Sequence, residues 1–206
     1  MYDKDSEDKT ITPLPRPDRY LLQASNNEYQ ALRAFLEKVS TYGELSPGCV
    51  VSSANHDIHV FYNNEKKRWV LTNHDVILER ESIDDIAAEI IYAFKKKRTS
   101  DDIVNIAISV YTDKKNEKAN SLHQELTQIT DDAFNTILTQ SPDINRTDVY
   151  GNTLLHVASM YGFTEKVTRL ACRDDIHLNT INEGKFSALI LAIMFGHTEV
   201  VQELLK

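Results

Sequence analysis

The residues of this chain that could do chemistry gather on one hairpin. His56-Asp57-Ile58-His59-Val60-Phe61-Tyr62 alternates as a strand does. After the polar loop Asn63-Asn64-Glu65-Lys66-Lys67, the run Arg68-Trp69-Val70-Leu71-Thr72 returns and ends in Asn73-His74-Asp75. Folding the two runs together sets His56 beside Asp75, and an acid so placed can hold an imidazole in the tautomer that a general base needs. A nucleophile is harder to find. Cys49 lies on an expected strand only seven residues before His56, and Ser25, at an expected helix start, has a suitable position with the wrong atom. Plainer roles stay open: a strand-edge histidine bonded to backbone, and an acid closing a turn. No metal is expected from His56, His59, His74 and Asp75, because residues three apart on a strand point to opposite faces. No Gly-rich phosphate loop or nucleophile elbow occurs, so no cofactor is expected.

The elements that must position the hairpin follow from periodicity. Ala31, Leu32, Phe35, Leu36 and Val39 predict a helix over 25–42, closed by Gly43 and followed by the turn Ser46-Pro47-Gly48. Strands are expected over 49–52, 57–62 and 68–72, with both faces of the hairpin covered. Ser82 caps a second helix, with Asp84 and Asp85 in its first turn and Ile83, Ile86, Ala87, Ile90 and Phe94 as its buried stripe. Val104, Ile106, Ile108 and Val110 mark a fourth strand over 103–111. Residues 20–112 thus read as an α+β domain, a small antiparallel sheet with flanking helices. A polar stretch over 1–19 with Pro13, Pro15 and Pro17 precedes it as a flexible tail, and 113–119 follows as a charged linker.

The pairing of His56 and Asp75 weakly resembles the C-terminal half of papain-like cysteine proteases, over about 48–111 and particularly in a bacterial effector branch. That resemblance implies His56 as base, Asp75 as its orienting residue and a cysteine upstream at a helix N-terminus. No cysteine precedes Cys49, so it implies an unseen upstream segment or an inactive relative.

A second signal is a 34-residue echo. Leu155, Ala158, Gly162, Val167 and Leu170 recur as Leu189, Ala192, Gly196, Val201 and Leu204. Stepping back 33 residues, Leu122-His123 aligns with Leu155-His156, Phe134 with Val167, and Ile137-Leu138 with the closing leucines. Ile129 stands there in place of glycine, as in an eroded unit. Gly151, Thr153, Leu155, His156, Ala158 and Gly162, with their echo, resemble the ankyrin repeat. The resemblance implies an all-α repeat solenoid over 120–206, divided 120–144, 145–178 and 179–206, with protein binding as its function. The unusually apolar run from Ala188 to Met194 leads to the expectation that the native protein continues past Lys206.

Within such repeats the variable positions should carry recognition. Met160-Tyr161 and Met194-Phe195 precede the two turn glycines, and Asp148, Tyr150, Asn152, Asn182, Lys185 and Phe186 lie in the finger loops. Packing between repeats is the competing role for the Met-aromatic pairs. The domain combination resembles bacterial secreted ankyrin effectors, which implies a host protein as partner and the host cytoplasm as location. The alternative is a cysteine protease-like hydrolase, active or not, that the repeats target.

Composition narrows the partners. A net charge of −8 over 206 residues disfavours a nucleic-acid backbone. The one basic run, Lys95-Lys96-Lys97-Arg98, falls where a helix dipole is complemented. Two distant cysteines fit a reducing compartment, and no stretch is apolar enough to suggest a membrane span.

Overall fold

The computed structural model describes residues 18–25, 27–54, 56–95, 102–112, 116–141 and 143–206. The proline-bearing stretch before Asp18, and Lys96, Lys97 and Arg98 of the basic run, lie outside the described residues. Six strands form one antiparallel sheet: β1 (Asp18–Ala24), β2 (Gly48–Ser52), β3 (Asp57–Asn63), β4 (Arg68–Asn73), β5 (Val76–Arg80) and β6 (Val104–Tyr111), in the order β1-β6-β2-β3-β4-β5. Helices α1 (Gln30–Thr41) and α2 (Ile83–Ala93) cover one face. Ser82 caps α2 as expected, its hydroxyl accepting from the backbone N–H groups of Asp84 and Asp85.

The expected fold class, a small antiparallel sheet with flanking helices followed by an all-α solenoid, needs correction. The sheet spans 18–111 with six strands, and helices follow from Glu117. Two strands had no clear signal in the chain. β1 directly follows the proline-bearing stretch, and β5 directly follows a two-residue turn at His74-Asp75, where φ of His74 is +50°. The region after Glu117 is not all-α, because Ile181 and Ser187 form a β-bridge. The hairpin is also less covered than expected: Asp57, His59 and Phe61 are exposed on the outer face of β3.

Strand β6 explains how sheet and repeats join. Val104, Ile106, Ile108 and Val110 enter the core beneath α1 and α2, while Ala107, with Leu21 of β1, packs on the other side among the repeat helices. Both faces of β6 are therefore buried. The 24-residue helix α3 (Glu117–Gln140) belongs to both cores, with Leu122 and Leu126 in the first and Phe134 in the second. An ankyrin unit would break this segment into two helices at a glycine. Ile129 occupies that site, and a β-branched residue resists the left-handed conformation such a turn requires, so the helix runs through. Beyond it stand two helix pairs, α4 (Leu154–Met160) with α5 (Thr164–Ala171), and α6 (Ala188–Met194) with α7 (Thr198–Leu204).

Candidate functional site

Each helix pair is set by the same local devices. Thr153 caps α4 and Ser187 caps α6, each oxygen accepting from the N–H three residues on. Gly162 and Gly196 turn each pair with φ of +74° and +75°, a region costly for residues bearing a Cβ. Gly151 does the same in the first finger loop at φ +76°, and its echo Lys185 adopts φ +64° without being glycine.

The tautomer of His156 follows from its neighbours. Its Nδ1 accepts from Thr153 N at 3.2 Å, so Nε2 carries the proton and donates to the Phe186 carbonyl at 3.2 Å in the next repeat. Burial holds this imidazole below its usual pKa, outweighing the opposite pull of that carbonyl. The unfolded ring takes its proton near pH ~6.5. Below that pH the unfolded chain binds more protons than the native one, and stability falls until the folded ring also titrates. Thermal unfolding at about pH 7.5 and about pH 5.5 should therefore show a loss on acidification that shrinks in His156→Gln. Equal losses in both proteins would contradict this role. Asp148, whose pKa burial raises, acts in the opposite sense at lower pH, so the mutant comparison isolates the histidine.

The finger residues split into a buried set and an accessible set. Asp148, Asn152 and Asn182 are buried. Asn152 Nδ2 donates to both Asp148 oxygens at 3.2 and 3.1 Å, and Asn182 Nδ2 donates to Asn152 Oδ1 at 2.8 Å. The network reaches the sheet, because Asn105 Nδ2 on β6 donates to the Asn152 carbonyl at 2.9 Å and Gln23 Nε2 on β1 donates to Asn105 Oδ1 at 2.8 Å. These amides join the fingers to each other and to the sheet. Tyr150 and Phe186 are half-buried and Lys185 is exposed.

The Met-aromatic pairs diverge too. Met160 is buried. Tyr161 is half-buried, with its hydroxyl donating to the Ser53 carbonyl at 3.0 Å and the Arg19 guanidinium 5.8 Å from its ring centre. Burial pushes the Tyr161 phenol up to about 12. Met194 and Phe195, in the same positions one repeat later, are 58% and 50% exposed. Ile190 and Ile193, which stand exposed beside them, stood out in the chain only as part of an unusually apolar run and not as binding residues. Their signal was an exchange of type between aligned repeats, since the first repeat has His156 and Ser159 at those positions.

At the hairpin, the His56 ring lies 5.1 Å from the His74 ring and 5.6 Å from that of Phe94, measured between centres. Asp75 is exposed at the tip of the β4–β5 turn, and no hydrogen bond or ion pair joins it to His56 among the described residues. Cys49 is buried within the core, and burial alone pushes its thiol up to about 12, which keeps it protonated and weakly nucleophilic. Ser25 closes a turn before α1, its hydroxyl accepting from Glu28 N at 3.1 Å. Among the described residues, no group of three or more His, Cys, Asp or Glu is arranged to hold a metal ion.

Paired short helices turned at positive-φ glycines and linked by finger loops define a repeat protein. Residues 92–206, more than half of the chain, match the family described as Ankyrin repeats (3 copies), and the chain belongs to that family. It is similar to the ankyrin repeat protein nuc-2 of Neurospora crassa, with 35% identity over 69 residues. That match covers 34% of this chain and 6% of the fungal protein. Ankyrin repeats imply protein–protein interaction. Among the described residues no helix is long and apolar enough to cross a membrane.

Proposed function

We propose that the chain recognises a protein partner through the end of α6, with Met194 and Phe195 as anchors and the accessible finger residues Tyr150, Lys185 and Phe186 contributing contacts. One observation carries this reading: the two repeats use the same pair of positions differently. Tyr161 holds the first repeat against the loop that follows β2 through the Ser53 carbonyl, whereas Phe195 stands half exposed with Met194 beside it. Exposed aromatic and methionine side chains of this kind are favoured anchors in binding hot spots. From the resemblance to bacterial secreted ankyrin effectors, we place the partner among host proteins and the site of action in the host cytoplasm.

The test is partner capture from host cytosol by the wild type and by Phe195→Ala and Met194→Ala. Each truncation should weaken capture about tenfold or more, the loss expected of a hot-spot residue. Their melting temperatures should stay near the wild-type value, because both side chains are largely solvated. Unchanged capture by both variants would refute the reading.

A further inference from the structure

Two histidines that are distant in the chain meet at the open end of the β3–β4 hairpin. His56 stands just before β3, and His74 sits in the turn between β4 and β5, closed by the pairing of Asn73 with Val76. Their ring centres are 5.1 Å apart. His59 takes no part, because it is exposed on the outer face of β3, whereas the His56 ring packs near Phe94 on the core side. The alternation that separates His56 from His59 does not govern His74, which reaches His56 from a neighbouring turn.

The separation of the rings has a chemical meaning. An imidazole nitrogen binds zinc at about 2.0–2.1 Å, which puts the ion about 3.2 Å from the ring centre. Two such rings at a tetrahedral angle have centres about 5.2 Å apart, however each ring is rotated about its bond to the ion. The pair already stands at that distance. Neither ring enters a hydrogen bond or ion pair among the described residues, so their nitrogens are not committed elsewhere. Beside His74, the side-chain oxygen of Asn73 is shielded from solvent and has no hydrogen-bond partner, an acceptor that an ion or its bound water can satisfy. Asp57 and Asp75, each following one of the histidines, are exposed and give this end of the hairpin a negative field. We propose that His56 and His74 bind one divalent transition-metal ion of the zinc or nickel kind, each through a ring nitrogen. Imidazole favours such ions over magnesium and calcium, which take oxygen ligands. No third histidine, cysteine or carboxylate joins the pair among the described residues, so water or a donor from outside the chain completes the coordination.

Zinc titration of the untagged chain tests this, followed by equilibrium dialysis and by the ring resonances of the histidines. One ion per chain should bind with a Kd in the micromolar range and shift the His56 and His74 signals together, while magnesium shifts neither. His56→Gln and His74→Asn should each weaken zinc binding at least about tenfold. Asparagine tolerates the φ of +50° at position 74, so the metal-free His74→Asn variant should keep the wild-type melting temperature. His59→Ala, which removes a ring from the opposite face, should bind zinc as the wild type does. A Kd weaker than about 1 mM overturns the proposal, as does zinc binding that survives unchanged in both His56→Gln and His74→Asn. An equal loss in His59→Ala would also overturn it, because the ion would then be gathering on scattered surface histidines.

Discussion

Replacing Gly162 with alanine should destabilise the protein by about 2–4 kcal/mol, the sum of left-handed strain, a displaced neighbour and a lost hydrogen bond. At φ +74° an added Cβ would lie 2.5 Å from His197 Nδ1. That imidazole cannot easily retreat, because its Nε2 is held 2.9 Å from the Met160 carbonyl. Gly196 is the internal control. It has nearly the same φ of +75°, yet a Cβ there meets nothing within 4 Å, so Gly196→Ala should cost only about 1 kcal/mol. Denaturant unfolding of the two variants checks the difference, and equal losses would mean that the His197 wedge carries no energy. The double variant Gly162→Ala/His197→Ala should recover part of the loss, since the clash is gone.

Asn152→Ala should cost about 3 kcal/mol, because truncation leaves several buried polar groups unpaired at once. The Asn182 amide loses its acceptor, and the Asp148 carboxylate loses a donor that reaches both of its oxygens. The carboxylate keeps the backbone N–H groups of Tyr150 and Asn152, each at 2.9 Å, which is why the loss should stop short of unfolding the chain. Asn152→Asp tests the same point differently: it restores size and the acceptor but sets a second carboxylate against Asp148, and it should be destabilising too. A loss below about 1 kcal/mol in the alanine variant would show that the amide network contributes little.

Much of this was legible in the residues. Apolar spacing located α1, α2, β3, β4 and β6, and the 34-residue period located both complete helix pairs. What stayed hidden was whatever depends on neighbours far along the chain. The β1 strand takes its conformation from pairing along β6, from Asp18 opposite Val110 to Ala24 opposite Val104, which no local pattern reveals. The same holds for the finger residues. Their polarity suggested solvent, and only the fold shows that Asp148 and Asn182 turn inward. Yet these two residues stand one repeat apart, and a polar residue that recurs with the period of a repeat is a sign of structure. Conversely, the absence of a turn glycine at Ile129 was visible, but its result, one continuous α3, depended on how the sheet and repeats accept a single long helix.

That continuous helix sets a mechanical condition on everything the protein binds. At 24 residues it is about 36 Å long and works as a strut, one end anchored beneath the sheet and the other beneath the first helix pair. The strut therefore holds the first helix pair on a fixed bearing to the sheet. The sheet also meets the repeats directly, through Leu21 and Ala107 and the Asn105–Asn152 hydrogen bond, so a flexible tether inserted within α3 would remove the strut without separating the two.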